Sequence, residues 1–228
     1  MPRSIAALGF VSALALALPG AAHAQNLITN GDFSDGLADF SSQYAVPNNP
    51  ACAYGMAVFC QGPEATIFVN TDPHLDHPSW SSFTTGGTGN DGPNMLIVNG
   101  GENATQLVWG QTIAITAYET YQFTGWVASN YALNPAILAL EFNGATISTP
   151  FTASTNPGLW QEITINWFSG DNTSLDLALF DLATEASGND FSVTNFDLQQ
   201  TSVPEPASAA AFAAGVAALA MVRRRRGA

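Results

Sequence analysis

The chain lacks lysine entirely, and its five basic residues are Arg3 and the run Arg223 to Arg226. Everything between Arg3 and Arg223 is therefore without a fixed positive charge. Of the 18 acidic residues only Glu205 lies outside 25–202, so that span carries 17 carboxylates. Such a polyanion cannot neutralise phosphates, which excludes nucleic-acid binding. It also cannot hold an anionic substrate in an arginine fork.

Several signatures of catalysis are missing as well. The chain has no Gly-x-Ser-x-Gly nucleophile elbow, and the glycine-rich segment 86–89 lacks the lysine of a phosphate-binding loop. These absences favour a protein that is not an enzyme. A glycoside hydrolase is a weaker alternative, because it needs only two suitably spaced carboxylates. Glu141 and Glu162, both on predicted strands, are the best pair, although outward-facing strand residues explain them equally well.

The N-terminus has the pattern of a secretory signal peptide over residues 1–24. Arg3 supplies the positive start, a mostly apolar run follows, and Ala22-His23-Ala24 has the small-x-small form of a cleavage site. Signal peptidase is expected to cut between Ala24 and Gln25, so the protein is expected to be exported. A transmembrane anchor is the alternative, and the short apolar run disfavours it.

Cys52 and Cys60 are the only cysteines. In an exported protein an even pair favours a disulfide, which on the chain-entropy model would stabilise the fold by roughly 2.5 kcal/mol. A metal pair and a nucleophile are the alternatives, and neither fits an oxidising compartment with only two thiols.

The C-terminal tail, residues 201–228, combines three features in order. Pro204-Glu205-Pro206 precedes a mostly apolar stretch over 207–222, and the four arginines follow at 223–226. As a helix the apolar stretch would be about 24 Å long, somewhat short of the roughly 30 Å hydrocarbon core. The arginines would stay cytoplasmic and hold the preceding domain outside. A simple tail anchor is one interpretation.

The tail also resembles the PEP-CTERM sorting signal of Gram-negative bacteria. The residues that carry the resemblance are Pro204, Glu205, Pro206, Arg223, Arg224, Arg225 and Arg226. The resemblance implies recognition by an exosortase, a membrane transpeptidase-like enzyme, and association with exopolysaccharide or biofilm. It implies a precursor anchored in the inner membrane by the helix 207–222 and a mature form at the cell surface or outside the cell.

Between these segments, residues 25–200 alternate short apolar runs with turn residues, which predicts an all-β antiparallel sandwich. The predicted strands are Asn26–Thr29, Ala65–Asn70, Asn94–Asn99, Gln106–Thr116, Thr120–Ser129, Ala136–Phe142, Ala145–Ser148, Trp160–Phe168, Ser174–Asp181 and Phe191–Gln199. Asn143-Gly144 between two runs predicts a type I′ hairpin. Residues 35–93 have few strand signals and are predicted to form a loop-rich insertion.

The body resembles the jelly-roll domains of galactose-binding-like proteins and carbohydrate-binding modules. Residues 26–34 (NLITNGDFS) are similar to their opening strand, and residues 188–196 (GNDFSVTNF) are similar to their closing strand. The resemblance implies a structural calcium between these two strands, with Asp32, Asp190 and Asn195 as the matching ligands. Ser34 stands where the family has Glu, and acids that cap turns are the alternative.

Two further sets of side chains are candidates for binding. Asp72, His74, Asp76 and His77 have metal-ligand chemistry, but no predicted helix aims them at one point, so a polar surface loop is favoured over zinc. Sugar-binding sites use exposed aromatic rings, and four aromatic residues lie in predicted loops: Tyr44, Tyr54, Trp80 and Tyr131. The alternative for each is packing beneath its own loop.

The sequence thus predicts an exported, exosortase-sorted surface or matrix protein with a non-catalytic carbohydrate-binding module and polysaccharide as its partner. The alternative is a purely structural acidic surface protein without a small ligand.

Overall fold

The structure, a computed structural model, describes residues 25–47, 62–89, 92–185 and 187–201, together with the single helical residue Gly215. The predicted signal peptide, Cys52, Tyr54, Cys60 and the Pro-Glu-Pro triplet lie outside the described residues. Within the described part of the chain no helix is long and apolar enough to cross a membrane.

Ten antiparallel strands form two sheets, as the alternation of apolar and polar residues predicts. The strands are β1 (Thr66–Asn70), β2 (Met95–Asn99), β3 (Leu107–Ala114), β4 (Thr120–Ser129), β5 (Ile137–Phe142), β6 (Ala145–Thr146), β7 (Phe151–Thr152), β8 (Gln161–Phe168), β9 (Ser174–Asp181) and β10 (Phe191–Gln200). The front sheet has the order β1-β2-β10-β4-β8. The back sheet has the order β3-β9-β5, and β6 and β7 both pair with β5. The class is therefore all-β.

The core lies between the two sheets and is built from the period-two pattern of the strands. Leu175, Leu177 and Leu179 of β9 are buried, and the residues between them are exposed or half-buried. Ile163, Ile165 and Trp167 of β8 point into the same core from the front sheet. The predicted Asn143-Gly144 hairpin is confirmed, because both residues have positive φ, 53° and 74°, in the turn between β5 and β6.

The predicted strand Asn26–Thr29 does not form, because the Asn26 side chain makes hydrogen bonds to β10 that the backbone of a paired strand would otherwise make. The Asn26 amide donates to the Phe196 carbonyl (3.0 Å) and accepts from the Leu198 amide (3.0 Å). Only one backbone bond, from Leu27 N to Leu198 O (2.9 Å), joins the two segments. The opening segment is thus held against β10 without regular pairing. Close by, the β10 register shifts between Thr194 and Asp197, and Asn195 has a positive φ of 51°, as in a β-bulge.

The outer face of the front sheet has two different halves. In the first, Phe68, Met95 and Ile97 project outward from β1 and β2 and pack under Trp80, which belongs to the loop between these strands. We call this the covered half. In the second, the outward residues of β8, and those of β4 as far as Trp126, are exposed or half-buried, and we call this the open half. Its members are Gln122, Thr124, Trp126, Glu162, Thr164, Asn166 and Phe168.

Candidate cleft at the end of the front sheet

A cleft of about 400 Å³ lies where β1 begins, β2 and β4 end, and β10 begins. Antiparallel pairing brings these four chain ends together, because Thr66 pairs with Asn99 and Phe191 pairs with both Val98 and Ser129. The side chains that give the cleft its chemistry are Glu64, His77, Trp80, Asn99, Tyr131 and Asp190. The residues that complete its walls are Gly62, Pro63, Ser79, Ser187 and Gly188.

Trp80 is fixed against the sheet and forms a wall of the cleft. Its indole Nε1–H donates to Asp190 Oδ2 (3.0 Å), and its ring meets Phe68 edge to face at 6.2 Å between centroids. Only 4% of its surface is exposed. The His77 ring lies 4.9 Å from the Trp80 ring at an interplanar angle of 33°. Because Trp80 is held in this way, Tyr131 and His77 are the half-buried rings that a ligand can reach.

Asp190 is a buried carboxylate with both oxygens engaged. Trp80 donates to Oδ2, and the Gly100 backbone N–H donates to Oδ1 (3.3 Å). Burial raises the pKa of Asp190 to about 6, and these two hydrogen bonds oppose the rise. Asp190 therefore holds the Trp80 loop to the start of β10 and places a titratable group behind the cleft.

Asp72, His74, Asp76 and His77, for which a polar loop was favoured over zinc, belong to the loop that carries Trp80. Asp72 accepts from the His74 N–H (3.0 Å) and caps the short 3₁₀ helix Pro73–Leu75. His74 Nδ1 lies 2.8 Å from the Trp80 carbonyl oxygen, and Asp76 accepts from Asn70 Nδ2 (3.2 Å). Among the described residues no three acidic, histidine or cysteine side chains lie close enough to hold a metal ion.

The predicted calcium ligands do not converge on one point. Asp32 and Asn195 belong to neighbouring segments, because the Phe196 N–H donates to the Gly31 carbonyl (2.9 Å). Asp190 directly precedes β10, whereas Asn195 lies in the bulge between Thr194 and Asp197, and its amide Nδ2 donates to the Thr88 carbonyl (2.9 Å). Its oxygens are engaged by Trp80 and Gly100 at the cleft. The predicted trio therefore does not fit a single calcium ion, because an ion is held by ligands at about 2.5 Å.

The predicted aromatic candidates divide into two groups. Trp80 and Tyr131 meet at the cleft. Tyr44 is a core residue with 5% of its surface exposed, and a Cβ at Gly101 would lie 3.2 Å from its hydroxyl oxygen. Burial is the main cause that raises the pKa of Tyr44. Tyr44 was predicted as a ligand contact and is instead packed beneath its own loop, so a loop position does not ensure exposure.

Glu141 and Glu162, the sequence-based hydrolase pair, lie on opposite sides of the sandwich. Glu141 projects outward from β5 of the back sheet, because its neighbours Leu140 and Phe142 point into the core. Glu162 projects outward from β8 of the front sheet. Stacked sheets are about 10 Å apart, so carboxylates on their two outer faces are farther apart than a glycosidase pair allows.

Sequence reasoning did not place Glu64 and Asn99 at the site. Both are single polar residues at or near strand ends. The pairing of β1 with β2 brings them together, and the pairing of β10 with both β2 and β4 brings them beside Tyr131. One sequence pattern could have placed Asn99 at the site: it is the first polar residue after the apolar run Met95–Val98, where a buried strand reaches the edge of the core.

No protein-family model matches the chain, and no curated protein matches it. Solved structures that are similar to it include carbohydrate-binding modules. One is TmCBM61 in complex with β-1,4-galactotriose, with 12% identity, a TM-score of 0.49, and coverage of 78% of this chain and 99% of that one. Another is the CBM22-1 xylan-binding domain from Paenibacillus barcinonensis Xyn10C, with 14% identity, a TM-score of 0.40, and coverage of 64% and 92%.

A third similar structure is an enzyme domain. It is the enzymatically active domain of bacteriophage CBA120 tailspike protein 4, with 8% identity, a TM-score of 0.47, and coverage of 77% of this chain and 21% of that one. None of these three TM-scores reaches 0.5, so none of them transfers a ligand or a reaction to this chain.

Proposed function

We propose that residues 25–200 form a non-catalytic carbohydrate-binding domain and that the cleft holds the sugar. The observation that carries this proposal is the meeting of Trp80 and Tyr131, from two separate loops, in a cavity that also presents Glu64 and Asn99. A volume of about 400 Å³ lies within the range of small-molecule sites. No catalytic carboxylate pair is part of the proposal.

The chemistry of the lining suits a sugar. The apolar face of a pyranose ring packs on an aromatic ring, and Tyr131 and His77 are the reachable rings. Sugar hydroxyls donate to carboxylates and to amide oxygens, which Glu64 and Asn99 supply. The Asn99 Nδ2 group already donates to the Gly62 (3.1 Å) and Pro63 (3.3 Å) carbonyls, which fixes the orientation of its amide.

Binding of neutral oligosaccharides to the full chain, measured by titration calorimetry after a glycan-array screen, tests the proposal. Tyr131→Ala should weaken binding by roughly tenfold or more, because one well-placed aromatic contact typically dominates such a site. Tyr118→Ala is the matched control, since Tyr118 is 71% exposed and precedes β4, whereas Tyr131 follows it. Equal effects of the two substitutions, or no oligosaccharide binding by the wild type, would contradict the proposal.

The absence of binding would favour the second candidate, a structural acidic surface protein without a small ligand. The observation behind that candidate is the excess of 17 carboxylates over 25–202 without a lysine or arginine. Such a surface keeps the protein soluble and repels acidic polymers.

We further propose that the domain is exported and sorted by an exosortase, to the cell surface or beyond, where polysaccharide would be its partner. The support is the order of the triplet Pro204 to Pro206, the apolar stretch and the arginine run. Replacing the triplet with alanines should leave export intact and block processing, so the precursor stays in the inner membrane. Fractionation in an exosortase-positive host, beside an exosortase-deficient control, measures this. Identical size and location of the wild type and the triplet variant would leave only a plain anchor.

The pairing of Cys52 with Cys60 also stays a proposal. A mass measurement under denaturing, non-reducing conditions should find both thiols blocked to alkylation, and two alkylated thiols would refute the bridge.

A further inference from the structure

The cleft carries negative charge that nothing in the described chain neutralises. Glu64 lies on its wall and Asp190 behind it. Burial raises the pKa of Glu64, and the charges of Asp190 and Glu102 raise it further. The chain has no lysine or arginine between Arg3 and Arg223 that could relieve this repulsion. Burial also lowers the pKa of His77, which favours its neutral form.

The two carboxylates have different freedom to meet a ligand. Asp190 is 7% exposed and its oxygens already accept hydrogen bonds from Trp80 and Gly100. Glu64 is exposed, and no hydrogen bond joins its carboxylate to another described residue. Glu64 can therefore accept a hydrogen bond from a ligand, while the fixed charge of Asp190 adds to the negative potential of the cleft.

A metal ion fits this arrangement poorly. Calcium takes six to eight oxygen ligands, and the described residues around Glu64 and Asp190 include no third acid close enough to join them. A compact organic cation needs fewer contacts, since an ammonium group donates three hydrogen bonds and stacks over an aromatic ring. Tyr131 and His77 provide such rings beside Glu64.

We propose that the cleft selects amino sugars with a free ammonium group over their N-acetylated, neutral and acidic counterparts. Glu64 accepts the ammonium hydrogen bond, and the sugar ring packs on Tyr131. An acidic sugar would face Glu64 and Asp190 without a counter-charge, and an N-acetylated sugar would lose the charge pairing. This inference rests on the proposed function, because it names the ligand class of the same cleft.

Three tetrasaccharides of equal length separate the classes: glucosamine, N-acetylglucosamine and glucose oligomers. Titration calorimetry is run with the full chain near neutral pH, where some of the amines carry a proton and Asp190, whose pKa is about 6, is mostly ionised. The glucosamine oligomer should bind on the order of tenfold more tightly than the acetylated one, as expected for a charge-assisted hydrogen bond. Glu64→Gln should remove this preference, because it weakens binding of the glucosamine oligomer much more than binding of the acetylated one, whose hydroxyls can still hydrogen-bond to the glutamine amide.

Glu162→Gln is the matched control, because it removes one carboxylate from the open half of the sheet. This variant should keep the preference for the glucosamine oligomer, because Glu162 is not part of the cleft. If the oligomer were attracted only by the net charge of the protein, the two substitutions would weaken its binding equally. Equal losses in the two variants overturn the inference. Binding of neutral or acetylated oligomers without a preference for glucosamine also overturns it but leaves the proposed function standing. Failure of all three oligomers overturns both.

Discussion

The covered and open halves of the front sheet differ in what lies on their outer face. In the covered half, β2 reads Met-Leu-Ile-Val and is buried on both faces, because the Trp80 loop packs on the side away from the core. In the open half, β8 alternates, so that Ile163, Ile165 and Trp167 face the core and polar residues face outward. A continuous apolar run thus indicates a covered strand, and alternation indicates an open one. The cleft lies at the margin of the covered half.

Two phenylalanines on the same outer face give the largest expected contrast. Phe68 is 1% exposed beneath Trp80, whereas Phe168 is 58% exposed. Phe68→Ala should lower the free energy of unfolding by about 3–5 kcal/mol through the lost burial and the cavity left behind. Phe168→Ala should change it by less than about 0.5 kcal/mol. Denaturant titration measures both free energies of unfolding. Similar decreases in the two variants would contradict the difference in burial between the two halves.

Part of the pH dependence of stability should come from the covered half, through Asp76 in the loop that carries Trp80. Burial raises the pKa of Asp76 from 3.8 to about 7. The native carboxyl therefore keeps its proton up to about pH 7, whereas the unfolded chain releases it near pH 3.8. Native protein binds more protons in that window, so stability is highest below it and falls as pH rises through it, by at most about 4 kcal/mol for this group.

Asp76→Asn should flatten part of that fall, because the amide does not titrate. Most of the remaining slope comes from Asp181 of the back sheet and from Asp190, whose pKa values burial raises to about 7 and about 6. Burial also raises the pKa values of Glu64 and Asp197, which add to it. Glu162→Gln, on the open half, should leave the slope as it is in the wild type. Unfolding curves at several pH values provide the measurement, and a slope that Asp76→Asn leaves intact would contradict the assignment.

A smaller contrast separates the two tryptophans that fasten the loop. Trp80 donates to the buried Asp190 carboxylate, and Trp160 donates to the exposed Thr84 carbonyl (2.8 Å). Trp80→Phe should lower the free energy of unfolding by about 1.5–3 kcal/mol, because it removes the hydrogen bond that the buried Asp190 carboxylate accepts. Trp160→Phe should cost about 0.5–1.5 kcal/mol, since water can replace the indole N–H. Thermal unfolding of both variants ranks them, and the reverse order would contradict the role given to Asp190.

Much of the fold could be predicted because it follows from local patterns. Strand runs such as Ser174–Asp181 and the Asn143-Gly144 turn depend on neighbouring residues only. The segment Asn26–Thr29 has a strand pattern, but the Asn26 side chain takes the place of the ladder. Residues 35–93 gave few signals because their described part is mostly irregular, and its order depends on distant partners such as Asp190.

The site was harder to predict for the same reason. Trp80 and Tyr131 could be proposed from their residue type and their loop positions. Their meeting with Glu64 and Asn99 depends on strand pairing, which no local pattern specifies. Asp190 was expected to bind calcium because of its place in the closing segment, yet its direction is set by Trp80 and Gly100.

The position of β10 has a mechanical consequence. This strand lies between β2 and β4 and leads directly into Thr201, the first residue of the tail. A pull transmitted through the tail would act along the strand axis, while the ladder bonds to β2 and β4 lie across that axis. Such a load is shared by many bonds at once instead of opening them one after another. A tail that anchors the domain, as proposed, would therefore load a strand that is hydrogen-bonded on both sides.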